Sequence, residues 1–213
     1  MVAYRFRLLL ATLALLGIVA CATTPATPAA EPKKAEVVQI PAHLKAPFRG
    51  GRDAKVVIEY FSDFECPFSA RHAATMKALL EAYGDQIRIV WHDQPLDFHP
   101  HAHLSAEAAR EVLAQQGIEG FWRFHDTLFQ NQRALTRADL ENYAQAQGVD
   151  MERFRRALDE HLHAADVDAD IAMGKAIGAD GTPTSFINGR KIEGAQPLEV
   201  FKSAINAALA TGR

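Results

Sequence analysis

Cysteine is scarce in this chain, which has two among its 213 residues, Cys21 and Cys66. So few sulfur atoms exclude a small scaffold held together by several disulfides, as in many short secreted domains. The chain does not need such cross-links, because a chain of this length can bury a sizeable hydrophobic core. Each cysteine must therefore be explained by its own surroundings.

An excess of positive charge is also missing. Lysine and arginine number 23 against 26 acidic residues, and the formal net charge at pH 7 is -3. Proteins that bind nucleic acid usually carry a basic surface, so this balance gives no indication of a nucleic-acid partner. The hydrophobic content of 48% is ordinary for a globular domain, and the chain contains no internal repeat.

The N-terminal segment has the pattern of an export signal. Two arginines precede an apolar run over residues 8–20, which is too short for a stable membrane span. The run ends in Ile18, Ala20 and Cys21, which resembles a bacterial lipobox. The resemblance implies a lipoprotein signal peptide over residues 1–20 and lipid on Cys21. A signal peptide cut elsewhere or an uncleaved anchor is the alternative.

Residues 21–35 are rich in proline and alanine, which predicts an extended tether before a domain over residues 36–213. We expect the chain to be lipid-anchored in the bacterial cell envelope, facing the periplasm. Ala22 after the lipid site would suit the outer membrane of a two-membrane bacterium, by resemblance only. With lipid on Cys21, Cys66 is the sole thiol of an exported protein, so it is either reactive or bonded to another chain.

Cys66 is predicted to lie where a strand turns into a helix. The apolar run over residues 56–61 indicates a buried strand, and a helical pattern begins at Pro67. Proline suits the first helical position, where its missing N–H costs nothing. Cys66 is then the N-cap, where free N–H groups and the helix dipole favour a thiolate. A thiolate is the form that attacks a disulfide.

The remaining pattern predicts an α/β fold. Alternating apolar residues over 87–91 indicate a second strand, so that a parallel βαβ unit forms around the first helix. Residues 41–52 are predicted to be a loop. From residue 100 to residue 177 the signals are helical, and Asn188-Gly189 then indicates a β-hairpin before a last helix.

This order of elements, with Thr182-Pro183 just before the hairpin, resembles the DsbA-like thioredoxin-fold oxidoreductase family. The string over residues 63–68, DFECPF, is similar to the active-site motif of that family, and the resemblance covers about residues 36–210. It implies a thioredoxin-like fold with an α-helical insertion at about residues 100–163. It also implies that Pro183 is cis and beside Cys66, with Thr182 and Pro183 forming the wall that binds an extended substrate peptide.

The chain departs from this family at one position, because Ser69 stands where the family's Cys-x-x-Cys pair has its second cysteine. A hydroxyl can hydrogen-bond the Cys66 thiolate but cannot release a mixed disulfide. The resemblance therefore implies a monothiol oxidoreductase of isomerase or reductase type, with Cys66, Pro67, Phe68 and Ser69 as its active-site residues. It needs no cofactor, and its partners are cysteine-containing exported proteins or a small thiol, together with an external reductant.

Two other functions remain open. Loss of the second cysteine also fits a redox-inactive lipoprotein that binds peptides or acts like a chaperone. Glutathione-linked chemistry is the third reading, because kappa-class glutathione transferases resemble the same fold. They carry serine where Cys66 stands, which argues against transfer to electrophiles but not against a glutathionylated Cys66.

Two further sets of polar residues need an interpretation. Glu59 interrupts the central strand and is a possible proton relay to the thiol, or else a solvated or salt-bridged edge residue. His99, His101 and His103 suggest a metal site, but imidazoles two residues apart on a helix diverge. We therefore predict no metal, and we expect His99 to cap the helix that follows it.

Overall fold

A computed structural model of the chain describes residues 37–39 and 46–211. The predicted signal peptide, the lipid site Cys21 and the whole of the predicted tether over residues 21–35 lie outside these residues. In chain order the elements are β1 (Phe48–Gly50), β2 (Val56–Ser62), α1 (Pro67–Tyr83), a 3-10 turn (Gly84–Gln86), β3 (Ile87–Asp93), α2 (Ala102–Gln130), α3 (Arg137–Gln147), α4 (Met151–Asp159), α5 (Ala164–Ala176), β4 (Thr184–Ile187), β5 (Arg190–Glu193) and α6 (Leu198–Thr211).

The strands form one five-stranded sheet in the order β1-β3-β2-β4-β5. β2 and β3, which precede and follow α1 in the chain, are paired in parallel, as predicted. The other neighbouring strands are antiparallel. β4 and β5 are joined at Asn188 and Gly189, which have positive φ angles of 45° and 81°. Val37 adds an isolated antiparallel bridge to Arg190 at the sheet edge. This confirms the predicted α/β, thioredoxin-like fold with helices inserted between β3 and β4.

The prediction of a loop over residues 41–52 is wrong where β1 lies. Gly50 and Gly51 resemble a turn in the sequence, but they are needed for close contact with the chain around the start of β3. A Cβ atom on Gly50 would lie 2.2 Å from the Ile87 carbonyl oxygen, and one on Gly51 would lie 2.2 Å from that of Asp85. Glycine therefore marks a close approach of two backbones here.

The core lies on both faces of the sheet. Alternate residues of β2 point to opposite sides, so Tyr60 joins the larger cluster with Trp91 and Leu79, while Phe61 joins Phe186 on the other side. Helices α1 and α6 cover the first face and α5 covers the second. This packing on both faces fixes the C-terminal ends of the parallel strands β2 and β3, where Ser62 and Asp93 lie side by side.

A buried ion network fastens the inserted helices to the sheet. Arg110, on α2, pairs with Asp93 at the end of β3 and with Asp170 on α5. α2 itself kinks at Gly117, where φ is 69°. Among the described residues, no helix is long and apolar enough to cross a membrane.

Candidate active site

The turn that carries Cys66 has the predicted geometry. Cys66 is the N-cap of α1, with an extended backbone (φ -72°, ψ 121°), and Pro67 follows at the first helical position. The Cys66 carbonyl oxygen accepts the first helical hydrogen bonds, from the N–H groups of Ser69 at 3.0 Å and Ala70 at 3.2 Å. The Cys66 side chain makes no capping hydrogen bond to the helix. The sulfur therefore lies at the positive end of the α1 dipole without a hydrogen bond to the first turn of that helix.

A distant segment of the chain completes the site. The peptide bond between Thr182 and Pro183 is cis, and the Cys66 sulfur lies 3.4 Å from the Thr182 carbonyl oxygen. This confirms the predicted proximity of Cys66 to the cis-proline. In this contact the thiol donates its hydrogen, so the contact exists only while the sulfur is protonated.

Cys66 is more enclosed than the sequence suggests, because only 3% of its surface is exposed. Attack on a disulfide is in line with the bond that breaks, so the incoming sulfur needs a path to Cys66. Phe68, two residues further on, is 53% exposed and packs its ring 4.8 Å from the Arg71 guanidinium. The surface around the cysteine is therefore open while the cysteine itself is largely covered.

The prediction that Ser69 hydrogen-bonds the Cys66 sulfur is wrong. Ser69 is completely buried, and its hydroxyl oxygen lies 3.5 Å from the backbone N–H of Asp63, from which it accepts. Its carbonyl oxygen accepts from the Tyr60 hydroxyl at 3.4 Å. One turn into α1, the Ser69 side chain points beneath the loop, so within the described chain it has no hydrogen bond to the sulfur.

Glu59 is not placed to serve Cys66 either. Its carboxylate lies 2.6 Å from Nε2 of His92, on the neighbouring strand β3. His92 is completely buried, stacks on Phe61 and has Asp170 3.5 Å from its other ring nitrogen. Burial alone would lower the pKa of His92, but its contacts with Asp170 and Glu59 outweigh burial and raise that pKa to about 9. The structure thus favours the salt-bridged alternative for Glu59 over the proton relay.

The three neighbouring histidines diverge, as their spacing indicates. His99 binds the Asp63 carboxylate through Nδ1 at 2.6 Å, whereas His103 contacts Glu107 at 3.0 Å. His101, and not His99, is the N-cap of α2. In the described part of the chain, no group of three or more His, Cys, Asp or Glu side chains has an arrangement that could hold a metal ion.

Asp63, His99 and Gln132 are site residues whose roles the sequence reading misses. Asp63 is buried in the turn before Cys66 and is the partner of His99. Gln132, in the loop after α2, donates from Nε2 to the carbonyl oxygens of Phe64 at 2.7 Å and of Cys66 at 2.8 Å. Asp63 lies inside the motif that carries the resemblance, which is a usable signal, but nothing in the sequence around Gln132 indicates its contact with this loop.

Solved structures with this fold include a thioredoxin-like oxidoreductase and other bacterial proteins. Oxidised BdbD from Bacillus subtilis is 23% identical, with a TM-score of 0.74, over 83% of this chain and 100% of that chain. A thioredoxin-like oxidoreductase from Silicibacter pomeroyi DSS-3 is 24% identical, with a TM-score of 0.68, over 79% and 94%. The catalytic domain of Proteus mirabilis ScsC is 21% identical, with a TM-score of 0.67, over 79% and 91%. At these identities the likeness concerns the fold.

Curated relatives of higher identity are much longer proteins. Na(+)/H(+) antiporter NhaA 3 of Salinispora tropica is 38% identical over 166 residues, which are 78% of this chain and 25% of that protein. Na(+)/H(+) antiporter NhaA of Herminiimonas arsenicoxydans is 35% identical over 160 residues, 75% of this chain and 25% of that one. The chain spans about a quarter of the length of these relatives, so the match concerns one part of each.

The family assignment follows from a match over most of the described chain. The sequence profile of the thioredoxin family matches residues 43–207, which include both the turn at Cys66 and the cis-proline. The chain therefore belongs to the thioredoxin family, in the DsbA-like form of the fold with helices inserted between β3 and β4.

Proposed function

We propose that this protein catalyses thiol-disulfide exchange through Cys66 alone. The observation that carries the proposal is the position of the Cys66 sulfur, at a proline-started helix and 3.4 Å from the carbonyl oxygen before a cis-proline. The helix dipole favours a thiolate at this position. The Thr182 carbonyl oxygen beside it offers an acceptor to a backbone N–H of an extended substrate once the thiol has lost its hydrogen.

The cycle has two exchange steps that balance without a cofactor. The Cys66 thiolate attacks one sulfur of a substrate disulfide, forms a mixed disulfide with it and releases the other sulfur as a thiolate. A second thiolate then attacks the mixed disulfide and restores Cys66. If that thiolate belongs to the same substrate, the substrate is isomerised; if it comes from a small thiol, the substrate disulfide is reduced and the small thiol is oxidised. Ser69 cannot replace the second thiolate.

The test is capture of the mixed disulfide. We expect the chain, in a Cys21→Ser background, to gain one glutathione on incubation with glutathione disulfide, as measured by intact mass. Reduced glutathione should remove it, and the Cys66→Ser variant should gain none. Absence of the adduct on the folded protein would contradict both the monothiol proposal and the glutathione-linked alternative.

A redox-inactive, peptide-binding role is the second candidate. It is favoured by two exposed aromatic side chains, Phe68 at 53%, two residues after a cysteine that is 3% exposed, and Phe98 at 75%, whose ring contacts His99. The candidates differ in their dependence on the sulfur. Binding of a reduced, unfolded client that is unchanged in Cys66→Ala, together with no turnover of scrambled disulfides by the original chain, would favour binding over exchange.

We also propose that the chain is a lipoprotein of the bacterial envelope, anchored through Cys21. The basis is the lipobox-like sequence before Cys21 and the proline-rich segment after it. Exchange at Cys66 would then take place on exported proteins near the membrane surface. Replacement of Cys21 by serine should move the protein out of the detergent-extracted membrane fraction; an unchanged membrane fraction would contradict lipid anchoring at this residue.

A further inference from the structure

His99 is held at the edge of the active-site turn by a buried carboxylate. Its Nδ1 lies 2.6 Å from an Asp63 carboxylate oxygen, and Asp63 is 1% exposed. The same carboxylate accepts from the backbone N–H groups of Glu65 at 2.7 Å and Leu96 at 2.9 Å. With three donors directed at an acceptor-only carboxylate, the ring must present an N–H from Nδ1. Asp63 thereby fixes which nitrogen of His99 carries the proton when the ring is neutral.

The other nitrogen of this ring is uncommitted. Among the described residues, Nε2 of His99 has no hydrogen-bond partner, and it is not among the buried, unpaired polar atoms. The side chain is 16% exposed, so a ligand can reach it. Asp63, which holds the His99 ring, also belongs to the turn that carries Cys66, because its carbonyl oxygen accepts a hydrogen bond from the Cys66 N–H at 3.2 Å.

Resting on the proposed exchange, we infer that His99 exchanges a proton from Nε2 with the substrate sulfurs, and that Asp63 positions it. In the first step Cys66 bonds to one substrate sulfur, and the second sulfur leaves and takes the proton from the His99 imidazolium, giving a free thiol and a neutral ring. In the second step the neutral ring takes the proton of the incoming thiol, whose sulfur bonds to the bound substrate sulfur while Cys66 leaves as a thiolate. The ring is an imidazolium again, so electrons and protons balance.

We predict that the loss of rate on replacing His99 depends on the acidity of the leaving thiol. A proton donor matters when the leaving thiol is weakly acidic and does not matter when the thiol departs readily as an anion. We compare hydroxyethyl disulfide, with an aliphatic leaving thiol, and dithiobis(nitrobenzoate), with a strongly acidic one. The variant is His99→Asn, in which the side-chain amide can still donate to Asp63 but nothing replaces Nε2. The matched control is His103→Asn, which alters a histidine bonded to Glu107 instead.

All rates are measured in the full chain with Cys21→Ser, so that Cys66 is the sole thiol. We expect His99→Asn to slow the reaction with hydroxyethyl disulfide roughly 100-fold, at the lower end for a general acid, and to change the reaction with dithiobis(nitrobenzoate) less than about twofold. Free imidazole should restore part of the lost rate in His99→Ala, which serves as the second variant if His99→Asn does not fold.

Two outcomes would overturn the inference while leaving the exchange function intact. One is an equal loss with both disulfides, which would mean that His99 only holds the turn in shape. The other is no loss with either disulfide in a folded variant. If the original chain reacts with neither disulfide, the exchange function itself fails, and the inference fails with it.

Discussion

Two histidine–aspartate pairs in this protein are built from the same residue types but differ in their surroundings. His92, at the end of β3, is completely buried between Glu59 and Asp170, with a carboxylate at each ring nitrogen. His99, in the loop after β3, has one nitrogen on Asp63 and the other without a partner in the described chain. The first pair links the sheet to the inserted helices, and the second lies at the active-site turn.

The difference lies in burial and in how many ring nitrogens are occupied. A ring with carboxylates on both sides holds its proton, and the pKa of His92 is raised to about 9 although burial alone would lower it. Such a group is a fixed cation at neutral pH and cannot exchange protons with a substrate. A ring with one free, reachable nitrogen can do so. His92 is therefore a structural cation, and His99 is the better candidate for chemistry.

The largest effect should come from breaking the buried network. Asp170→Asn removes the charge that pairs with Arg110 and His92 and leaves both cations inside the protein. We expect the free energy of unfolding in urea to fall by about 3–5 kcal/mol. Asp168→Asn, on the same helix but with its side chain 68% exposed, should change it by less than about 0.5 kcal/mol. Equal effects would mean that the network does not fasten the insertion.

Titration of His92 should give the next largest effect. Because its folded pKa of about 9 is above the ordinary 6.5, its stabilising charge is fully present below about pH 6.5. That stabilisation is lost as the pH rises through about 9, and it amounts to about 3 kcal/mol. Unfolding free energies at pH 6 to 10 measure it. In His92→Lys the side chain stays charged to higher pH, so the loss of unfolding free energy should begin at a higher pH. If the variant and the original chain lose stability over the same pH range, the loss belongs to other groups.

The pair formed by His99 and Asp63 should matter much less for stability. In His99→Asn the amide still donates to Asp63, and the side chain it replaces is 16% exposed. We expect the free energy of unfolding to fall by about 1 kcal/mol or less. A loss as large as that in Asp170→Asn would make the two pairs equivalent and would count against a chemical role for His99.

What the sequence predicts of the fold is what local signals determine. The apolar run of β2, Pro67 after Cys66 and Asn188-Gly189 each specify a turn or an element within a few residues, and all are confirmed. β1 is missed because Gly50 and Gly51, which permit close backbone contact, form a Gly-Gly pair that is also typical of turns. Its partner is about 40 residues away along the chain, so no local pattern reveals it.

The same distinction applies to the site. Cys66 and the Thr182-Pro183 bond are found because the family resemblance ties them together, although Cys66 and Thr182 are 116 residues apart. His99 is seen in the sequence, but its bond to Asp63, 36 residues earlier, depends on how the loop after β3 folds back. Ser69 is misjudged for a related reason. Spacing places it one helical turn from Cys66, yet the rotation of α1 directs its hydroxyl under the loop.

Access to Cys66 offers a finer test of how the turn is held. Gln132 ties the Phe64 and Cys66 carbonyl oxygens to the insertion. Gln132→Ala removes two hydrogen bonds worth about 1 kcal/mol each, so we expect alkylation of Cys66 by iodoacetamide to accelerate about 5- to 30-fold. Gln130→Ala, at an exposed residue of the same segment, is the matched control. No acceleration would mean that these bonds do not limit access to the sulfur.

The smallest effect should come from Ser69, although it occupies the position of the missing cysteine. Its hydroxyl oxygen accepts only a long hydrogen bond, at 3.5 Å, from the backbone N–H of Asp63. Since it does not touch the sulfur, Ser69→Ala should leave the alkylation rate of Cys66 at neutral pH within about twofold. A fall of tenfold or more would show that the hydroxyl turns toward a thiolate, and the proton chemistry assigned to His99 would then have to be shared with Ser69.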